Sequence, residues 1–315
     1  MSNVQSPNVQ SPNVQSPKAH YTSRSAARRS GLFAGLALSA LVLGLGSLAH
    51  AATVEADKAG GRNPNALRIC ASNVEAPFSA ADSTGFEDRI ATVLAQAMGR
   101  KPVFVRTDQP GIYLVRDQLD KNNCDVVMGV DVGDDRLLTS KPYYRTGYVL
   151  VTKADRNITT GDWEDQSVKD QTRFAVRFYS PAETMLKRIG RFEDNAAYMY
   201  SLVNFKSRRN QWVQVPGDRI VTEVANGEAD VGIAFAPEVA RYVKSSSTPL
   251  RMTVISKDID RPNDQPIPMH YDQAVGVRKN DPALRDEINA ALDKAKVQIE
   301  QILTQEGIPL LDPNT

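Results

Sequence analysis

A two-lobed α/β fold is what this 315-residue sequence predicts, and three observations predict it. Short apolar runs bounded by Gly and Asp, clearest at Val126–Val130, read as strands buried on both faces of a parallel sheet. Segments with apolar residues at helical spacing alternate with these runs, which is the order of a doubly wound unit. The phrase Lys121-Asn122-Asn123-Cys124-Asp125 and its apolar run return as Asn226-Gly227-Glu228-Ala229-Asp230 with Val231–Phe235, so the plan occurs twice. A chain of this length has room for about two domains of ordinary size.

The first residues do not belong to that fold. Three copies of Asn-Val-Gln-Ser-Pro between Asn3 and Pro17 carry too little apolar surface to pack. Arg28-Arg29, an uncharged apolar run from Gly31 to Ala49, and the ending Ala49-His50-Ala51 are the parts of a secretory signal, with cleavage after Ala51. An uncleaved membrane anchor is the alternative, because about 19 apolar residues can just span a bilayer. The twin arginine raises Tat export, although Sec export fits the run better. Residues 52–65 are small and polar and read as a flexible tether.

From Ala66 the elements follow in order. Leu67–Ala71 is a strand. Phe86, Ile90, Val93, Leu94 and Ala97 mark a helix stopped by Gly99, and Lys101–Arg106 is the next strand. Ile112, Val115 and Leu119 predict a second helix that runs into Cys124. After strands at Val126–Val130 and Tyr148–Thr152, residues 155–171 are polar loop. Arg173–Tyr179 opens the second unit, and Ser180-Pro181 with Glu183 is a helix start of capping-box type. Met185, Leu186 and Ile189 then face inward. Helices around Ile220–Ala225 and Pro237–Val243, strands at Met252–Ser256 and Ala274–Val277, and a long amphipathic helix from Pro282 to Leu303 complete the chain.

Composition excludes several function classes. Apolar residues make up 41% and charged residues 24%, ample for a core. The formal charge of +1 hides a split: residues 1–51 hold Lys18, Arg24, Arg28 and Arg29 and no acid, leaving 34 basic against 37 acidic residues beyond them. A mildly acidic body gives no electrostatic case for nucleic acid. Of three histidines only His270 lies beyond Ala51, and no G-x-S-x-G signature accompanies it. Asp131, Asp134 and Asp135 fail the calcium-loop spacing, and neither a zinc set nor a glycine-rich phosphate loop is present, so no cofactor or metal site is predicted. Cys70 and Cys124, an even pair in an exported chain at the ends of neighbouring strands, predict one disulfide, with two buried thiols as the alternative.

In open α/β sheets ligands lie beyond the carboxyl ends of the strands. That rule makes Glu75, Phe78, Asp131, Arg136, Tyr144 and Ser180 the candidate cleft residues. Arg136 can clamp a carboxylate or pair with Asp134. Of Tyr143 and Tyr144, one is expected to face the cleft and one the core. An enzyme using Glu75 and Asp131 is one rival reading. In the segment Arg191–Trp212, Tyr198, Tyr200, Phe205 and Trp212 are interleaved with Arg208 and Arg209, the composition of a protein interface, with a buried helix and a solvated basic turn as the alternative.

The plan, together with Leu67-Arg68-Ile69-Cys70, Gly85-Phe86-Glu87, Cys124-Asp125-Val126-Val127, Lys141-Pro142-Tyr143-Tyr144, Gly227–Val231 and Gly276-Val277-Arg278-Lys279, resembles the periplasmic solute-binding proteins of amino-acid transporters. Segments 112–117, 200–207 and 234–244 bring it closer to a quinoprotein dehydrogenase-associated branch of family 3 of those proteins. The resemblance implies a periplasmic binding protein-like (type II) fold with a hinge crossing between lobes: lobe 1 over 66–152 with 273–315, lobe 2 over 153–272. It further implies a non-enzymatic periplasmic protein that assists assembly or activation of methanol dehydrogenase. That partner, chiefly through its large subunit, carries pyrroloquinoline quinone and calcium as its own cofactors. The alternative is the solute receptor of an ABC transporter. Amino-acid receptors of this type offer an arginine after the lobe-one strand and an acid after the corresponding lobe-two strand. Arg136 stands near the first position, whereas the second reads Phe235-Ala236-Pro237 with no acid until Glu238.

Overall fold

The computed structural model describes residues 63–203, 214–262 and 264–312, all within one compact unit, Asp57–Thr315. The leader 1–51, most of the tether, and Phe205, Arg208, Arg209 and Trp212 lie outside the described residues. Chain order is β1 (Ala66–Ser72), β2 (Val74–Glu75), β3 (Ser79–Ala80), α1 (Phe86–Ala97), β4 (Lys101–Thr107), β5 (Val126–Asp131), β6 (Leu138–Thr139) and β7 (Tyr144–Lys153). Then come α2 (Gln166–Lys169), β8 (Phe174–Val176), α3 (Pro181–Arg188), α4 (Phe192–Ser201), α5 (Gly217–Asn226), β9 (Val231–Phe235), α6 (Ala236–Ser245), β10 (Leu250–Val254), β11 (His270–Val277) and α7 (Pro282–Glu306).

The fold class is the α/β, two-lobed periplasmic binding protein-like fold, but its sheet is mixed. Strands run in the order β4-β1-β5-β11-β7-β9-β8, with β10 beside β7 and β6 beside β11. The β1–β4, β1–β5 and β8–β9 pairs are parallel, whereas β11 lies antiparallel to both β5 and β7, and β7 antiparallel to β9. The expectation of a parallel sheet therefore holds within each repeated unit and fails where the chain crosses between units. Apolar runs report burial on two faces, and direction is set by the connections that periodicity does not record.

Each repeat is fastened by its aspartate. Asp125, one residue before β5, accepts from the Arg68 backbone N–H at 3.0 Å and from its guanidinium at 2.8 Å. Asp230, one residue before β9, accepts from the backbone N–H of Thr172 at 3.1 Å and Arg173 at 3.0 Å, and from Arg156 at 2.8 Å. Both carboxylates thus satisfy donors at the start of the neighbouring parallel strand, where a buried unpaired N–H is costly.

The segment read as a second helix is tighter and looser in turn. A 3₁₀ turn at Gly111–Tyr113 precedes a π turn at Val115–Leu119, closed by the bond from Asp120 N–H to Val115 O at 2.9 Å. Val115 and Leu119 are buried as the spacing requires, but Ile112 is 49% exposed. The Gly111 N–H is taken by the Glu75 carboxylate at 3.0 Å, which holds the chain in that turn.

Two apolar clusters mark the lobes. One gathers residues between Val149 and Met269, among them Trp163, Phe174, Leu186 and Ile233. The other joins Leu67, Phe86 and Ile90 to Val275, Ile288, Leu303 and Ile308. Strands β7 and β11 carry the chain between them. At the crossing, Gly147 faces the His270 ring, and a Cβ on it would sit 2.5 Å from His270 Cδ2, so only glycine admits that approach. Cys70 and Cys124 are joined as a disulfide, with Cα atoms 5.4 Å apart, inside a small cluster with Leu119 and Val127.

Candidate functional site

The carboxyl ends of β1 and β5 and the polar turns beyond them open onto a cavity of about 330 Å³ between the lobes. Glu75, Phe78, Asp131 and Arg136 all line it. Arg177 and Glu238, from the segments following β8 and β9, form its other wall. Tyr144 and Ser180 lie elsewhere. The Tyr144 ring is 5% exposed and packs edge-on against Phe86 at 6.5 Å, because the β7 start carries it under the lobe rather than along the cleft. Ser180 is the N-cap of α3: its hydroxyl accepts from Glu183 N–H at 3.4 Å and donates to Arg177 O at 2.7 Å.

The charges of the cavity are largely consumed within the protein. Arg136 lies flat on Asp134, with Nε to Oδ1 at 3.0 Å and Nη2 to Oδ2 at 2.6 Å. That hydrogen bond holds the Asp134 carboxyl below the ordinary range. Arg177 donates to Glu238 across the opposite wall. Burial alone would lower the Arg177 guanidinium, and the Glu238 carboxylate more than reverses it. Asp131 accepts from Gln273 Nε2 at 2.6 Å; loss of hydration along the wall still pushes its carboxyl up, with Asp134 adding to the effect.

Glu87, on the first turn of α1, is the group that sequence reasoning missed. An acid there reads as a partner for the helix dipole, yet its side chain is 4% exposed and reaches the cavity. Tyr143 donates to Glu87 Oε2 at 2.6 Å and Tyr144 to Oε1 at 3.2 Å. The Tyr143 oxygen in turn accepts from Gly129 N–H at 2.9 Å. Burial outweighs both tyrosine bonds and pushes the Glu87 carboxyl up to about 7. Gly129 has φ +64° and passes so close that a Cβ would stand 3.2 Å from Glu87 Oε1. The signal that could have found Glu87 is Gly85-Phe86-Glu87 itself, an acid directly after a buried aromatic at a helix start.

The proposed interface segment divides. Tyr198 is half-buried and tied down within the protein: its hydroxyl donates to Glu223 at 2.7 Å and Arg173 lies over its ring at 5.3 Å. Tyr200 is 66% exposed and stacks on Phe178 at 4.6 Å. Beside Phe178, Tyr179 is 82% exposed at φ +57°, a conformation pinned by its N–H bond to Glu183 Oε2 at 2.6 Å. Among the described residues no cluster of three or more His, Cys, Asp or Glu side chains converges to hold a metal ion, and no helix is long and apolar enough to cross a membrane.

The family described as bacterial extracellular solute-binding proteins, family 3, matches residues 67–305. The chain belongs to that family. Within it, the chain is 50% identical over 289 residues to Protein MoxJ of Methylorubrum extorquens, covering 91% of this chain and 96% of the relative. It is 51% identical over 245 residues to Protein MoxJ of Paracoccus denitrificans, covering 78% and 89%. Among solved structures, MxaJ from Methlophaga aminisulfidivorans MPT superposes with a TM-score of 0.73 at 44% identity, over 78% of this chain and all of that one. The periplasmic binding protein XoxJ from Methylobacterium extorquens AM1, at 24% identity and TM-score 0.57 over 78% of this chain and 99% of that one, shares the fold.

Proposed function

We propose that this family-3 protein is a non-enzymatic periplasmic accessory of the methanol oxidation system, assisting assembly or activation of the quinone- and calcium-dependent methanol dehydrogenase. The observation that carries the proposal is likeness over 78–91% of the chain to proteins named MoxJ and MxaJ, at 44–51% identity. The cleft supports it from another side. The two charges best placed to grip a zwitterion, Arg136 and Glu238, are each paired with a neighbour. A ligand would have to displace those partners before gaining its own.

The lobes in this reading are 66–152 with 273–315, and 153–272, and residues 1–51 direct export to the periplasm. Docking on the large subunit would use lobe 2, through Tyr200 and the residues of the following segment, Phe205, Arg208, Arg209 and Trp212, with Tyr198 supporting from beneath. An exposed tyrosine already stacked on a buried phenylalanine contributes large area at small ordering cost. Replacing Tyr200 with Ala is expected to cost about 2 kcal/mol, or about 30-fold in Kd, for the purified dehydrogenase. Surface-immobilised mature protein against dehydrogenase measures it. Unchanged affinity would remove Tyr200 from the interface, and no affinity in the unaltered protein would remove the partner.

The cavity of about 330 Å³ favours a second reading, a receptor that delivers one small metabolite to an ABC transporter. In that case Glu75 and Asp131, two wall carboxylates whose hydrogen-bond donors are the Gly111 N–H and Gln273, would meet the ligand's donors.

A further inference from the structure

We infer that the two lobes of this chain are latched at a fixed angle by an ion cluster centred on Glu306, away from the strands that cross between them. The inference rests on the two-lobe division given above. In a hinged receptor, strands β7 and β11 would supply the axis about which the lobes turn. Helices α6 and α7 flank the sheet rather than continue it, so a tie between them lies off that axis and resists the turn.

The tie is dense. Glu306 ends α7 in lobe 1 and is 7% exposed. Arg241 of α6, in lobe 2, donates to it twice, Nε to Oε2 at 2.7 Å and Nη2 to Oε1 at 3.0 Å. The same Arg241 Nη2 reaches Thr84 O at 3.0 Å, on the loop entering α1. Arg89 of α1 donates to Glu306 Oε1 from the lobe-1 side, and its Nη1 holds the Gln305 side chain at 3.1 Å. One turn along α6, Lys244 Nζ donates to Gln305 O at 2.8 Å, where the carbonyl end of a helix favours a cation. Apolar packing reinforces the charges: Ala240 belongs to the lobe-1 cluster that holds Leu303 and Ile308, and Met252 packs against both lobes' clusters.

Charge and geometry agree on what this arrangement does. The nearly buried Glu306 carboxylate takes guanidinium groups from both lobes, and parting the lobes removes the two-bond contact of Arg241 and leaves Arg89 as its remaining guanidinium partner. α6 also connects the latch to the cleft, since Glu238, which pairs with Arg177 on the cavity wall, precedes Arg241 by one helical turn. The cavity is thereby held at one width. A body with one interlobe angle suits a protein that presents a preformed surface, for which little ordering remains to be lost on docking.

The test is an interlobe distance distribution from pulsed electron resonance on the mature chain, with spin labels on Asp120→Cys in lobe 1 and Asp194→Cys in lobe 2, both exposed. The latched protein is expected to give one narrow distribution. Arg241→Ala with Glu306→Gln is expected to broaden and shift it, while Arg116→Ala, which removes a surface pair with Asp117, leaves it unchanged. Should the double variant fail to fold, Lys244→Ala with Arg241→Lys loosens the same contacts more gently and is expected to broaden the distribution less. A broad or two-peaked distribution in the unaltered chain, or a narrow unshifted one in the folded latch variants, overturns the latch. Either result leaves dehydrogenase binding to be judged by its own affinity measurement.

Discussion

Removing the Cys70–Cys124 bridge is expected to lower the unfolding free energy by about 4 kcal/mol. The bridge ties residues 54 apart in sequence. In the chain-entropy model a loop of that length withdraws about 4 kcal/mol of freedom from the unfolded chain. Both sulfurs are buried with Leu114, Leu119 and Val127, so the change is best made as Cys70→Ala with Cys124→Ala. Serine would add an unpaired hydroxyl to an apolar site. The bridge also fastens β1 to the chain entering β5, whose register runs Ile69 to Val126 and Cys70 to Val127. Urea unfolding of the oxidised protein and the double variant measures the difference. Coincident midpoints would mean that the sheet ladder alone holds this corner.

The second large effect is pH-dependent and belongs to Glu87. Its carboxyl stands at about 7 in the folded protein against an ordinary value of 4.5, raised chiefly by burial. The folded state therefore keeps a proton that the unfolded state releases between these values. Because the unfolded chain binds fewer protons there, stability falls as pH rises. The contribution is fully present below about pH 4.5 and is lost on approaching pH 7, a total of about 3 kcal/mol from this one group. Glu87→Gln keeps the shape and a donor–acceptor pair for Tyr143 and Tyr144 but cannot ionise. Denaturant midpoints taken from pH 4.5 to 8 are expected to slope downward more steeply in the unaltered protein than in the variant. Parallel profiles would place the titration elsewhere. The site is also where pH would be felt by the cavity, since Tyr143 links Glu87 to the Gly129 backbone.

Much of this architecture is legible in the sequence because burial writes itself into strands. Val126–Val130 and Val231–Phe235 read as two-sided strands, and the aspartates before them repeat because parallel neighbours leave the same donors open. Ser180 with Glu183 marked a helix start, although the returning bond goes to Tyr179 N–H rather than to the cap itself. The antiparallel insertion of β11 was not legible, since a strand's direction depends on a connection closed some 140 residues later, the separation between Gln273 and Asp131. The cleft was legible in part. Residues placed directly after lobe-one strands, Glu75 and Asp131, face it, whereas Tyr144 turns under the lobe because β7 begins earlier than the apolar run announces. Arg177 escaped notice because it sits at the end of a run in which Phe174–Val176 suffices for the strand. Glu238 stood in view as the first acid after Phe235-Ala236-Pro237, and the helix that Ala236 and Pro237 begin brings it to the wall. The latch on Glu306 leaves no local trace at all, since its partners are 65 and 217 residues away.

The family-3 fold, with Arg136 and Glu238 of the cleft each paired inside the protein, is the ground of the accessory proposal. The most direct test is to delete the gene in a methanol-grown host and measure the calcium and quinone content and the activity of the periplasmic dehydrogenase. Restoring it in trans completes the comparison. An accessory role predicts dehydrogenase protein that is present but underloaded and weakly active, and recovers with the restored gene. Fully loaded, fully active enzyme in the deletion strain would contradict it.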